Sequence, residues 1–166
     1  LEVYEKVLPI LGKIVKEFSE QVPGIHLEGP FISKECKGAH DEQYIREIDI
    51  KFMEKLVELS DNTIKLITIA AELKHAKPFT RYCGTHDIKV SLGHQMANLQ
   101  QINDAADIGA TLMTHLGNGM PQKIDRHDNP LLGGLICREI TPMIIPDGFH
   151  LPEHLIRFTM DVKGTN

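Results

Sequence analysis

The chain has 166 residues, 42% of them hydrophobic and 25% charged, an ordinary composition for one globular domain that excludes disordered and fibrous classes. Its formal net charge of -5 argues against a nucleic-acid or anionic-membrane partner, because both carry the same sign as the protein. Cys36, Cys83 and Cys137 are too few and too scattered for a disulfide framework, and each reads as a small reduced side chain of a cytoplasmic protein. No apolar run approaches the roughly 20 residues that cross a bilayer, and the first residues lack the pattern of a secretory leader.

Residues 1–20 place Val3, Val7, Leu11, Ile14 and Phe18 at helical spacing, which predicts an amphipathic helix that Pro9 should kink or interrupt. Pro23 and Gly24 close it, and a short strand over 25–28 runs into His26-Leu27-Glu28-Gly29-Pro30-Phe31. Residues 29–43 have the composition of a functional loop, with Lys37-Gly38-Ala39-His40 inside it. Ile48, Phe52, Leu56 and Leu59 mark a second helix, and the β-branched run 64–69 a second strand. A shorter helix carries Phe79, Tyr82 and Cys83, with Pro78 near its start. The strand over 88–92 then ends at Gly93-His94. Met96, Leu99, Ile102, Ala105 and Ala106 predict a helix capped by Gly109, and the strand over 110–114 ends at His115. A long polar loop over 116–129 precedes a helix over 130–138. A strand over 143–145 leads to Asp147-Gly148-Phe149-His150, and a last helix runs between Pro152 and Gly164.

Strands alternating with helices imply parallel βαβ units and an α/β fold. Glu28, His94, His115 and His150 all fall at or just beyond predicted strand ends, the face on which a (β/α)8 TIM barrel assembles its site. Ligands spread over several successive strands favour a barrel over a doubly wound sheet with one switch point. About five strands are legible where a closed barrel needs eight and ~250 residues, so 1–166 reads as an incomplete barrel of about five βα units.

One carboxylate with two imidazoles is a common protein ligand set for a catalytic zinc, which keeps a fourth position for water and lowers its pKa to about 7. Among nine histidines, however, some fall at strand ends by chance, and spacing alone leaves the metal and the bland reading evenly matched. Arg126 suits a phosphate through its forked donors, and Asn118-Gly119 suits close backbone approach. Composition by itself would leave Arg126 as one solvated charge among Lys123, Asp125, His127 and Asp128.

The segments Gly24-Ile25-His26-Leu27-Glu28-Gly29-Pro30-Phe31, Lys37-Gly38-Ala39-His40, Val90-Ser91-Leu92-Gly93-His94, Gly109-Ala110-Thr111 with Thr114-His115-Leu116, and Asp147-Gly148-Phe149-His150 resemble, in that order, the N-acetylglucosamine-6-phosphate deacetylase family of the amidohydrolase superfamily. The resemblance covers nearly the whole chain and implies the central part of a barrel. It implies that Glu28, His94 and His115 bind a divalent metal, commonly zinc, that His40 polarises the substrate amide, and that Ala39 belongs to the same substrate loop. It implies further that Asn118 and Gly119 hold the sugar phosphate, that Arg126 reaches a phosphate in a neighbouring subunit of a homodimer, and that His150 contacts the sugar.

In such enzymes water activated by the metal attacks the acetamide carbonyl, and an aspartate carries the proton to the leaving amine. Acetate and glucosamine 6-phosphate result. That aspartate is expected on a strand after Asn166, and the usual H-x-H pair and part of a small β domain before Leu1, so the 166 residues are expected to hold a half-site with little activity of their own. Ala71 stands where the family usually has proline, and Gly119 where it usually has alanine. Two alternatives share these residues: a non-catalytic protein that binds metal and sugar phosphate, and an amidohydrolase for another N-acyl amino sugar.

Overall fold

The computed structural model describes residues 1–164. Helix α1, Glu2–Glu17, contains Pro9 without interruption. Proline removes one N–H donor and crowds the preceding turn, but burial of Leu8, Gly12 and Val15 holds the helix through that defect. Gly12 permits the close approach, since a Cβ there would lie 2.4 Å from the Ser60 carbonyl oxygen. Strand β1, Ile25–Glu28, buries Ile25 and Leu27 and turns His26 and Glu28 to the other face, the two-residue period of an extended chain.

Helix α2, Ile50–Leu59, starts at Asp49, whose carboxylate accepts from the Phe52 N–H, satisfying one of the free donors of the first turn. Strand β2 is Ile64–Ile69, helix α3 Ala76–Thr85 and strand β3 Lys89–Leu92. Helix α4 is Leu99–Ala106. Met96, expected inside it, lies ahead of it and is 50% exposed, because Asn98 and Gln101 form a reciprocal capping box that fixes the start at Leu99. Strand β4 is Ala110–Met113, helix α5 Pro130–Ile136, strand β5 Thr141–Pro142 and helix α6 Glu153–Lys163.

The last strand lies earlier than the expected 143–145. Met143 still donates to the Met113 carbonyl at 2.8 Å, but β4 ends at Met113, so the residues after Met143 have no strand alongside. The five strands form one parallel sheet in the order β1-β2-β3-β4-β5, the arc of an incomplete (β/α) barrel. Among the described residues no strand pairs with the outer edge of β1 or β5. The helices pack against one face, where Ile67, Ile69, Val90 and Leu92 join Leu56, Phe79 and Ile102 in one buried cluster. No helix among the described residues is long and apolar enough to cross a membrane.

Phe31, three residues after Glu28, is fully buried. Its ring meets Phe79 edge-on at 5.1 Å and Phe52 at 6.3 Å, so the loop leaving β1 is anchored between two helices rather than free. Phe31→Ala is expected to destabilise the chain by about 3–5 kcal/mol, read as a lower urea midpoint. Cys83 is also fully buried, and burial pushes its thiol up to about 12. Folding therefore holds it protonated, and its contribution to stability declines as pH rises from the ordinary thiol value toward 12. At pH 8 the native chain should leave Cys83 unlabelled by iodoacetamide, and urea should release it; mass spectrometry of the digest reads this directly.

Candidate functional site

Glu28 is the last residue of β1, and His94 and His115 each follow a parallel strand by two residues. Parallel strands in register bring those ends to one edge of the sheet. The Glu28 Oε1 atom lies 2.8 Å from His94 Nε2 and 2.7 Å from His115 Nε2, and the two Nε2 atoms are 3.0 Å apart. Both histidines turn the backbone into the left-handed region, with φ of 48° at His94 and 34° at His115. For non-glycine residues such conformations cost on the order of 1–3 kcal/mol. Here they aim both rings back across the sheet edge.

The tautomer of His94 follows from its second contact. Its Nδ1 lies 2.7 Å from the Cys36 carbonyl oxygen, which only accepts, so we assign the proton to Nδ1 and the lone pair to Nε2 in the neutral ring. That lone pair faces a carboxylate oxygen and a second imidazole nitrogen. With protons on the facing Nε2 atoms instead, the metal-free arrangement, burial works to raise the Glu28 carboxyl, but hydrogen bonds from His94 and His115 outweigh it and hold the group below its usual range; a cation would take the place of those protons. Three electron-rich donors converging on one point, one of them with its other nitrogen already engaged, suit a divalent cation. Cys36 is no rival ligand, since burial, reinforced by Glu72, pushes its thiol up to about 11.

His40 approaches the same point. One of its ring nitrogens lies within 4.8 Å of donor atoms on Glu28 and His94, and its ring stands edge-on to His94 at 4.7 Å. Its Nδ1 and Nε2 face the carbonyls of Lys37 at 3.1 Å and Glu28 at 3.2 Å, so it stands beside the three donors with both nitrogens turned to backbone. Ala39 is exposed at the lip of that loop.

Gly119 sits against the rings, with φ of 58°, and a Cβ there would lie 2.6 Å from His115 Cε1 and 3.2 Å from His94 Nδ1. Asn118 Nδ2 and His115 Nδ1 are buried without a partner among the described residues. Two expected site residues are not drawn in. Arg126 is exposed in its loop, and the His150 ring is held by Asp147 at 2.7 Å, outside the cluster. Asp161 is exposed on α6. Motif reading missed the Cys36 carbonyl, which no residue type advertises, and the hydroxyls of Thr68, Ser91 and Thr114 below the cluster, which the alternation of polar residues along β2, β3 and β4 could have revealed.

No family model matches the chain. It is 38% identical over 160 residues to the N-acetylglucosamine-6-phosphate deacetylase of Bos taurus, covering 90% of this chain and 39% of the relative. It is 33% identical over 131 residues to the N-acetylgalactosamine-6-phosphate deacetylase of Escherichia coli O157:H7, covering 79% of this chain and 35% of the relative. Among solved structures, an aspartate-to-alanine variant of the N-acetyl-D-glucosamine-6-phosphate deacetylase of Mycobacterium smegmatis, in complex with N-acetyl-D-glucosamine-6-phosphate, superposes with a TM-score of 0.90 at 29% identity, over 98% of this chain and 42% of that one. The chain thus spans about 40% of the length of the relatives it matches.

The converging donors predict that the chain, dialysed against zinc, retains roughly one ion per molecule. His94→Ala or His115→Ala should lower the bound zinc to near zero in metal analysis, whereas His150→Ala should leave it unchanged.

Proposed function

We propose, from a chain that corresponds in sequence and fold to the central barrel segment of N-acetylglucosamine-6-phosphate deacetylases, that it forms the metal- and substrate-binding part of an amide hydrolase that converts N-acetylglucosamine 6-phosphate to glucosamine 6-phosphate and acetate. The observation that carries this reading is the meeting of Glu28 Oε1, His94 Nε2 and His115 Nε2 within 3.0 Å of one another. Zinc is the cation we assign to them, and the protein is cytoplasmic in this reading. A divalent cation at such a site supplies Lewis acidity and lowers the pKa of water toward about 7.

The side chains divide the remaining work. Glu28 contributes one negative charge and two neutral rings contribute none, so the loaded centre keeps a positive charge suited to an anionic substrate. His40, edge-on to His94, exchanges the contact of its Nε2 with the Glu28 carbonyl for one with the amide carbonyl oxygen, donating an N–H where charge develops during attack. Asn118, whose Nδ2 is an unengaged buried donor, and the backbone of Gly119 take the sugar phosphate. Ala39 borders the acetamide, and His150, oriented by Asp147, meets the sugar. Arg126 extends its guanidinium to a phosphate in the second subunit of a homodimer, which accounts for its exposure here. No residue of the 166 is assigned to carry the proton to the leaving amine.

The relative named for N-acetylgalactosamine 6-phosphate supports a second substrate, the C4 epimer, held by the same groups. Calorimetric titration of the zinc-loaded chain separates the readings. N-acetylglucosamine 6-phosphate is expected to bind at least about tenfold more tightly than unphosphorylated N-acetylglucosamine, the value of one charge-assisted hydrogen bond, and Asn118→Ala should erase most of that margin. Tighter binding of the galacto epimer would transfer the assignment to it, and absence of binding by all three sugars would end the reading.

A further inference from the structure

The concave face of the sheet carries hydroxyls where barrel interiors are mostly filled by branched aliphatic side chains. Thr68 on β2, Ser91 on β3 and Thr114 just after β4 are buried. Thr68 Oγ1 lies 2.8 Å from Thr114 Oγ1, and Ser91 Oγ lies 2.7 Å from the same Thr114 oxygen. His26 on β1 adds its Nε2 at 2.8 Å from Thr68 Oγ1. A line of hydrogen bonds therefore runs from β1 to β4, and two of its links meet at Thr114.

The four groups follow the layering of a barrel interior, in which alternate strands share a level: Thr68 and Thr114 come from β2 and β4, His26 and Ser91 from β1 and β3. The link between the two threonines passes over β3 at Gly93, where a Cβ would lie 2.9 Å from Thr68 Cγ2 and 3.0 Å from Thr114 Cβ. Each hydroxyl has one proton to give. The line is satisfied in either direction, from His26 toward Ser91 or the reverse, and Thr114 donates to one neighbour while accepting from the other in both. His26 lies two residues before Glu28, and Thr114 immediately precedes His115.

We propose that Thr114 is a positioning residue for the centre. Its hydroxyl holds the end of β4 at the height where His115 Nε2 meets Glu28 Oε1, and the path through Thr68 and His26 refers that height to β1 itself. The proposal rests on the reading of Glu28, His94 and His115 as metal ligands. Backbone pairing alone joins β1 to β4 through two intervening strands; the hydroxyl line passes through β2 at Thr68 and crosses from there to Thr114 without β3, which specifies a separation.

Thr114→Val keeps the shape and removes the hydroxyl, whereas Thr114→Ser keeps the hydroxyl. Zinc affinity of the 166-residue chain, measured by competition with a chromophoric chelator, is expected to fall about 10- to 100-fold in Thr114→Val, as for loss of outer groups that orient ligands, and to stay near the parent value in Thr114→Ser. Thr68→Val should weaken binding in the same direction, and the Thr68→Val/Thr114→Val pair should be no worse than Thr114→Val alone, because both break one line. If Thr114→Val does not fold, Thr68→Val against Thr68→Ser makes the same comparison. Parent-like affinity in the valine variant, or equal loss in valine and serine variants, overturns the proposal. If the parent binds no zinc, the metal reading fails, and the imidazole 15N resonances of His115 in the metal-free chain decide the positioning role. Shifts moved by Thr114→Val and restored by Thr114→Ser sustain it, and unmoved shifts overturn it.

Discussion

A carboxylate oxygen and two imidazole nitrogens, each from a different parallel strand, meet within 3.0 Å of one another at the sheet's C-terminal edge. Side chains that repel one another through lone pairs are brought together only where the scaffold over-determines their positions. Several constraints do so here. The strands run parallel in sequence order, which puts their ends side by side. The left-handed backbone at His94 and His115 then turns residues that would otherwise continue outward into rings facing Glu28.

The loops around the cluster are built as tightly as the core. Phe31 anchors the segment after β1 among aromatic rings, and Ser33 donates its N–H to the His94 carbonyl at 2.9 Å. The Cys36 carbonyl fixes the His94 ring from behind. Gly119 lets the loop after β4 lie directly on both rings, a position where a methyl group would collide with His115. Glycine at this position thus has a spatial meaning in this chain: the loop comes closer to the histidines than a methyl group would allow.

Outside and inside faces of the sheet obey different rules. The outer face is apolar and continuous with the helices, as burial of a parallel sheet demands. The concave face is polar near its upper end, where buried Thr68, Ser91 and Thr114 satisfy one another and exposed His26 joins the line through Nε2. Buried hydroxyls that are paired specify one geometry rather than merely tolerate it, which suits a level of the structure lying directly beneath three converging donors.

From sequence alone, the alternation of strands and helices, the parallel sheet and the strand-end location of Glu28, His94 and His115 were legible, because period-2 and period-3.6 patterns and glycine or proline breaks are local signals. The uninterrupted passage of α1 through Pro9, the late start of α4 and the early position of β5 were decided elsewhere, by packing, by a side-chain cap and by where a partner strand ends. Strand-end placement could not distinguish His150, which pairs with its own loop, from His115, which turns inward through a left-handed backbone. Neither could it find the Cys36 carbonyl or the hydroxyl line. Those depend on distances between residues as many as 58 positions apart in the chain, and such distances exist only once the sheet has formed.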